Sequence, residues 1–402
     1  MTQIGEGMAG REACAKVQFV SSERELYITI WYYIVLFAHL FYNHKEIHGF
    51  IMPEVIFEDK LRKLLIRSRS TYDANFLALL ERTIWGSEGL TYTINNISEI
   101  LNRIEHPHFL ALEINGRLIG ALTLIHKANR LGGKDDPAFY SYGLAIEATE
   151  RGKGYGTLLS GQALNYGLSQ LQERGVYYGY VEAANTHSLR TLQKVGRKSL
   201  GQYHSLVVSR LCPKDQGCVE KLEDSKRKRL VQLLYEQYSN HSLTDFEQSI
   251  KTKDYYVVMR GGEIIAGLQC ERNHLTIKHL PGASGVLLLK ILPRIPWVRQ
   301  LFPQRNYRFL TLGNIYTREG KERDLFNLIE AVLARHQINF GMIYLDRRSP
   351  IYQRLKKAGK FGVFHALVTV PVHVMAYLKG FTANEIAEIH RQPLFISMLD
   401  PV

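Results

Sequence analysis

One glycine-rich segment has the residue types and spacing of an anion-binding loop. It reads ATERGKGYGTLLS from Ala148 to Ser160, between a strand-like run and a helix-like run. The N–H groups of a helix's first turn have no partners within the helix, and the helix dipole favours negative charge there. Glycines leave space for a phosphate, and Arg151 and Lys153 add positive charge. The segment therefore predicts a pyrophosphate site.

Two common nucleotide motifs do not fit this segment. A P-loop requires G-x-x-x-x-G-K-[ST], and a dinucleotide fingerprint requires G-x-G-x-x-G, whose last glycine would fall one position later than Gly156. The segment from Arg151 to Gly156 instead reads R-x-x-G-x-G.

This pattern resembles motif A of the GNAT acetyltransferase superfamily, which binds the pyrophosphate of acetyl-coenzyme A. The resemblance covers about residues 64–210, and the stretch YYGYVEAANTHSLRTLQKVGR (177–197) resembles the next strand and motif B. It implies acetyl-coenzyme A as cosubstrate and an amine as acceptor. The coenzyme-binding residues that the resemblance implies are Leu144, Ala145, Ile146, Arg151, Gly152, Lys153, Gly154, Tyr155, Gly156, Thr157, Asn185 and Ser188.

In this family an amine attacks the thioester directly, so the resemblance also implies groups that accept and donate protons. The family often places a tyrosine acid where this chain has Leu192. The candidate catalytic residues are Tyr140, Glu147, Glu182, Tyr203 and His204. An N-acyltransferase is the leading hypothesis. A non-catalytic coenzyme-A-binding or regulatory module, and a transferase for a longer acyl donor, stay open.

The chain contains an internal repeat. Residues 109–124 and 255–270 both alternate apolar residues around a turn, and residues 185–208 resemble residues 348–370. The predicted fold is α/β (α+β), with two GNAT-like units, each a mixed, mostly antiparallel sheet flanked by helices. In the second copy of the loop only Gly320 remains, with Glu319, Glu322 and Asp324 around it. Acidic side chains there predict that the second unit has lost coenzyme binding.

The length of 402 residues fits two domains. The predicted divisions are an apolar, aromatic-rich extension at 1–51, a GNAT acetyltransferase domain at 52–212, a linker at 213–224, and a degenerate GNAT-like domain at 225–402 with a basic amphipathic insertion at 275–305. The oligomeric state stays open.

Composition narrows the class of partner and the compartment. The net charge of +13 favours anionic ligands or an anionic surface, but the charges are not interleaved with aromatics as in a nucleic-acid-binding module. Four cysteines without a C-x-x-C pair favour a reducing, cytoplasmic location. Residues 26–43 contain no charged side chain and, with 286–305, leave membrane contact as an alternative. His44 and His48 have no third partner, so no metal site is predicted.

Overall fold

The computed structural model describes residues 53–401 apart from 87–89, 216, 218, 253, 281–290, 292–293, 295–305 and 363–369. The extension 1–51, with its apolar segment 26–43, lies outside the described residues. So does the segment 286–305, except for Ile291 and Arg294.

The first half of the described chain alternates hairpins with helices. Its elements are β1 (Glu54–Asp59), β2 (Leu64–Arg69), α1 (Ala74–Arg82), β3 (Trp85–Gly86), β4 (Thr91–Ile94), α2 (Ile97–Asn102), β5 (Pro107–Ile114), β6 (Arg117–Leu131), β7 (Lys134–Ile146), α3 (Tyr155–Gln170), β8 (Gly175–Glu182), α4 (Thr186–Lys194) and β9 (Lys198–Ser209).

The second half repeats much of this order. Its elements are β10 (Glu220–Lys221), α5 (Arg227–Gln237), α6 (Phe246–Thr252), β11 (Tyr255–Arg260), β12 (Glu263–His279), β13 (Asn306–Thr317), α7 (Glu322–His336), β14 (Phe340–Asp346), α8 (Pro350–Ala358), β15 (Pro371–Lys379) and α9 (Ala383–Arg391).

The two predicted hairpins are present, and the backbone conformation of each turn explains the residues found in it. Asn115 and Gly116 join β5 to β6 with φ of 50° and 76°, and Gly261 and Gly262 join β11 to β12 with φ of 56° and 80°. Two-residue turns with positive φ match the twist of the strands, and glycine and asparagine adopt that conformation most readily. Local turn chemistry therefore sets both registers.

The repeat continues in the parallel strand pairs. In the first half, β7 pairs in parallel with β8 from Ala138 to Tyr140, and α3 connects the two strands. In the second half, β13 pairs in parallel with β14 from Leu310 to Leu312, and α7 connects them. The internal repeat predicted from sequence is thus present in the structure.

The two halves share one sheet. Its strand order is β1-β2-β5-β6-β7-β8-β15-β9-β14-β13-β12-β11-β10, mixed but mostly antiparallel, and β4 pairs with β12. The last strand of the second half, β15, lies between β8 and β9 of the first half. Residues 53–402 form a single compact unit. The mixed, mostly antiparallel sheet flanked by helices confirms the predicted fold class, but the two predicted units share this one sheet. The domain boundary near residue 212 stays a prediction.

Alternating residues of β7 and β8 point to opposite faces of this sheet. Phe139 and Tyr177 pack against α3 residues such as Leu159. Tyr140 and Tyr178 face the other side, where Leu394 and Ile396 of the C-terminal segment cover them. No helix within the described ranges is long and apolar enough to cross a membrane.

Candidate active site

The glycine loop leads directly into the N-terminus of α3. Gly152 and Gly154 have φ of 80° and 88°, and Gly154 is the N-cap residue of the helix. A Cβ atom at either position would meet no atom within 4 Å, so crowding is not the reason for glycine there. The reason is the left-handed backbone, which glycine adopts without strain. No side chain caps the helix at Gly154. The first-turn N–H groups, from Tyr155 to Thr157, are therefore available to an anion.

Charged side chains surround the loop. Glu150 accepts hydrogen bonds from Lys153 Nζ and from Arg117 Nη2, each at 2.9 Å. The hydrogen bond from Lys153 is the main reason why the pKa of Glu150 is lowered. Arg151 Nε donates to the carbonyl oxygen of Ile146 at 3.1 Å. Arg117 was not identified from sequence, because it lies 33 residues from Glu150, at the β5–β6 turn.

Strands β7 and β8 separate on the side of the loop. Their parallel pairing ends at Tyr140 and Tyr178, whereas β7 stays paired with β6 as far as Ile146. Gly143, with φ of 70°, lies where the β6–β7 register shifts, so the strand bulges there. The backbone of Leu144–Ile146 consequently runs along an opening between β7 and β8. We refer to this opening as the strand cleft.

Asn185 and Ser188 are placed by the start of α4. Asn185 is its N-cap residue, and Asn185 Oδ1 accepts a hydrogen bond from the Ser188 N–H at 3.0 Å. This contact is the usual cap of a helix and satisfies one of its unpaired N–H groups. A role for either residue in coenzyme binding stays a prediction.

Two of the candidate catalytic residues are held by other groups. Glu147 forms an ion pair with Arg82 and accepts a hydrogen bond from the Ala148 N–H at 3.1 Å. The hydrogen bond from Arg82 lowers the pKa of Glu147, which makes it a weaker base. Tyr140 is buried, and its hydroxyl donates to the Pro401 carbonyl at 2.6 Å. Burial raises the pKa of Tyr140 well above its usual value.

Tyr203 and His204 are both buried in β9 and occupy opposite faces of the sheet. The Tyr203 ring contacts Tyr180 and Tyr344, with ring centroids 5.2 Å and 5.6 Å apart. Burial lowers the pKa of His204. The two residues therefore cannot act on the same atom, and only Tyr203 shares a face with Tyr140.

A buried ionic network lies beside the strand cleft on the face opposite α3. Asp400 Oδ2 accepts hydrogen bonds from the hydroxyls of Tyr178 and Tyr180 at 2.8 Å and 2.6 Å. Lys127 Nζ donates to Asp400 Oδ1 at 2.6 Å and to Asp245 Oδ2 at 2.8 Å. Burial raises the pKa of Asp400. No sequence signal marked this network, because Lys127 and Asp400 are 273 residues apart.

The network borders a cavity of about 200 Å³. Its walls come from α2, β6, α6, β12, β13 and the C-terminal residues 398–401, so both halves contribute. The polar lining comprises Arg103, Glu105, Lys127, Gln248, Glu271, Asn273, Thr311 and Asp400.

The corresponding loop of the second half is built differently. Gly320 keeps a positive φ of 76°, but Glu322 and Asp324 occupy the first turn of α7. Asp324 pairs with Arg260, and Glu322 lies 3.5 Å from Arg354. These carboxylates oppose an anion at the helix N-terminus. The loss of coenzyme binding in the second unit stays a prediction. Among the described residues, no group of three or more His, Cys, Asp or Glu could hold a metal ion.

The glycine loop lies within a segment that matches a model of a known protein family. The model of the acetyltransferase (GNAT) family matches residues 74–196, which include the glycine loop, α3, β8 and α4. Residues 74–196 form a GNAT domain. The family match is limited to these residues, and no curated protein matches the sequence.

Solved structures extend the likeness beyond the GNAT domain. N-myristoyltransferase of Saccharomyces cerevisiae, with bound myristoyl-CoA, is 10% identical and aligns over 88% of this chain and 91% of its own, with a TM-score of 0.53. A GCN5-related glucosamine N-acetyltransferase region of a fungal multi-domain GH3 β-N-acetylglucosaminidase is 13% identical. It aligns over 78% of this chain and 38% of its own, with a TM-score of 0.52. At these identities the likeness concerns the fold.

Proposed function

We propose that this protein is an acyl-coenzyme-A-dependent N-acyltransferase that transfers an acetyl group to a primary amine. The observation that carries the proposal is the glycine loop, with Gly152 and Gly154 in left-handed conformations at the start of α3, next to the strand cleft. A free helix N-terminus favours the pyrophosphate, and an open strand edge offers main-chain groups to the pantetheine arm.

The donor, acyl-coenzyme A, would bind to the first half of the described chain. Arg151–Thr157 would hold the pyrophosphate through backbone N–H groups and two cationic side chains, and Leu144–Ile146 would bind the arm by main chain. The thioester would then lie near Tyr140 and Tyr178, where the two strands separate. The acceptor would approach from the face opposite α3, because α3 and its core occupy the other face.

In the proposed reaction the neutral amine nitrogen attacks the thioester carbonyl carbon. A C–N bond forms, the C–S bond breaks, and the electron pair leaves on the coenzyme A sulfur. The nitrogen loses its proton to Glu182, directly or through water, and the thiolate is protonated on release. Glu182 is the preferred acceptor because it is partly exposed and lies beyond the last β7–β8 pair.

A second candidate, a coenzyme-A-binding module without catalysis, is favoured by one observation. Leu192, at the position where the family often has a tyrosine acid, is buried against Val181 and Met375. No hydroxyl is present there to protonate the thiolate. A longer acyl donor is a third reading, since the yeast protein of similar fold was solved with myristoyl-CoA.

Calorimetric titration of acetyl-coenzyme A tests the donor site. A Gly154→Glu variant should weaken binding by at least about tenfold, because it places a carboxylate at the predicted pyrophosphate position. Gly262→Glu is the matched control, since Gly262 has a φ of 80°, also has open space around its Cβ, and lies in the β11–β12 turn.

Equal loss of binding in both variants would indicate general damage to the fold. Absence of binding by the folded wild-type protein would overturn the proposal. Acetyl transfer to an amine panel then separates an enzyme from a non-catalytic binding module.

A further inference from the structure

A buried arginine lies where the strand cleft begins. Arg197, which follows α4, is 3% exposed. A Cβ atom at Gly179 would lie 2.8 Å from Arg197 Nη2, closer than Cβ contacts come in proteins, so glycine at this position leaves room for the guanidinium. Gly179 directly follows Tyr178, the last residue of β8 that pairs in parallel with β7. The guanidinium therefore lies at the closed end of the strand cleft.

The end of α4 places Arg197 there. The helix ends at Lys194, and Gly196 follows with φ of 86°. The Gly196 N–H donates to the Gln193 carbonyl at 3.0 Å, and the Arg197 N–H donates to the Leu192 carbonyl at 3.1 Å. These two hydrogen bonds form a Schellman motif, in which glycine takes the left-handed position. The backbone of Arg197 is thereby fixed to the last turn of α4.

The partners of the guanidinium that the structure describes are neutral. Nε and Nη2 donate to the Met375 carbonyl at 3.2 Å and 2.7 Å, and Nη1 donates to Ser141 Oγ at 3.2 Å. The Tyr177 ring centroid lies 5.1 Å from the guanidinium carbon. Burial lowers the pKa of Arg197 to about 10, so the group stays charged at neutral pH. A buried cation with only neutral partners is costly, so stability does not explain its presence.

Ser141 connects this cation with the strand cleft. It is partly exposed on β7, one residue beyond the last β7–β8 pair. Its Oγ accepts from Arg197 and donates to the Tyr178 carbonyl at 3.1 Å, so the hydroxyl bridges the two strands where they separate. Ser141 shares a face of β7 with Phe139, which packs against α3. The N-terminus of α3, the proposed pyrophosphate site, belongs to the helix on this same face.

Resting on the function proposed above, we propose that Ser141 and Arg197 stabilise the thiolate that leaves as coenzyme A. The C–S bond breaks, and its electron pair stays on sulfur. The Ser141 hydroxyl turns from the Tyr178 carbonyl and donates to the sulfur, while Arg197 supplies the positive charge behind it. Arg197 keeps its proton throughout, and the thiolate takes a proton from water on release. Because the thioester is neutral, this interaction strengthens only as charge develops on sulfur, which lowers the barrier.

This site also accounts for the lack of a side-chain hydroxyl at Leu192. A tyrosine acid there would protonate the thiolate, whereas a fixed cation and a hydrogen bond lower its free energy without proton transfer. The last turn of α4, which contains Leu192, is the turn that holds Arg197. In the second half the corresponding residue, Lys360 after Gly359, is exposed. The buried cation therefore belongs to the half with the proposed donor site.

The test measures the thiol pKa of coenzyme A bound to the protein, from the ultraviolet absorbance of the thiolate. We expect this pKa to lie about one to three pH units below that of free coenzyme A, the effect of a nearby opposite charge. Arg197→Met should remove most of the difference, and Arg197→Lys, which keeps the charge, should retain most of it. Ser141→Ala should remove part of it. Lys360→Met is the matched control, because it removes one cation from the corresponding position of the second half.

A thiol pKa in the wild-type complex equal to that of free coenzyme A would overturn the inference and leave the proposed transferase intact. A lowered pKa that survives Arg197→Met would also overturn it. Arg197→Met removes a buried charge without stranding another, so it should fold, which its thermal midpoint checks. If it does not fold, an unchanged pKa in Ser141→Ala overturns the inference instead.

Coenzyme A binding and acetyl transfer separate this inference from the proposed function. Failure of the folded wild-type protein to bind coenzyme A in a calorimetric titration would overturn both. A lowered thiol pKa that depends on Arg197, without acetyl transfer to any amine, would support the thiolate site and reject the transferase.

Discussion

Three charged residues of this protein are buried together. Lys127, Asp245 and Asp400 are each at most 5% exposed. A buried charge is tolerated only when opposite charges and hydrogen bonds compensate its lost hydration. Lys127 donates to both carboxylates, and the Tyr178 and Tyr180 hydroxyls complete the shell of Asp400. Although burial alone would lower the pKa of Lys127, the two carboxylates raise it, so Lys127 stays charged.

Replacement of Lys127 by methionine should therefore lower the free energy of unfolding by about 3–5 kcal/mol, because it leaves two buried carboxylates without a cation. Denaturant titration measures the loss. The double variant Lys127→Met, Asp245→Asn should recover part of it, since one of the uncompensated charges is removed. A loss below about 1 kcal/mol in the single variant would show that water reaches the network.

His241 gives the protein a predictable dependence on pH. It is 6% exposed, and its Nε2 atom lies 2.8 Å from Ser349 Oγ. Burial lowers its pKa to about 4. An unfolded histidine has a pKa of about 6.5, so between pH 6.5 and 4 the unfolded chain binds more protons than the folded one. The contribution of neutral His241 to the free energy of unfolding is therefore complete above pH 6.5 and is lost as the pH falls towards 4.

The loss attributable to His241 should reach about 3 kcal/mol at pH 4, from about 1.4 kcal/mol per pKa unit. Unfolding free energies of the wild type and of His241→Gln, measured between pH 7 and 4, check this. The variant should show the smaller decrease. Parallel curves for the two proteins would mean that the imidazole is already solvated in the folded state.

At the scale of elements, β15 joins the two halves. Its residues Val372–Lys379 pair with β8, and its residues Pro371–Ala376 pair with β9. Because β8 forms one wall of the strand cleft, β15 also fixes that wall. The C-terminal segment then returns over the opposite face, where the Leu394 N–H donates to Asp346 Oδ2 at 3.0 Å.

A proline at Val374 tests this role. Val374 is fully buried and pairs with Tyr180 on one side and Gly201 on the other. Proline cannot donate to the ladder and is poorly tolerated in a central strand. Val374→Pro should lower stability by several kcal/mol and reduce coenzyme binding. The control is Val55→Pro in β1, an edge strand, where Val55 is 52% exposed. Equal thermal midpoints for the two variants would contradict this role of β15.

At the scale of the whole molecule, the two halves repeat one design but differ in charge at the loop that precedes α3 or α7. The first loop has Arg151 and Lys153, and the second has Glu322 and Asp324 in the first helical turn. The second half instead contributes walls to the cavity, through β12 and β13. A duplicated fold thus has the proposed donor site in one half, while the other half contributes part of the cavity wall.

The sequence by itself determined the local features of this protein and its repeat. The turns at Asn115–Gly116 and Gly261–Gly262 and the glycine loop before α3 were predictable because each depends on residues that are neighbours in the chain. The repeat was predictable because both copies keep the same local pattern. The tertiary structure alone decided the sharing of β15 and the network of Lys127 with Asp400. These features join residues up to 273 positions apart, and local propensity carries no information about such contacts.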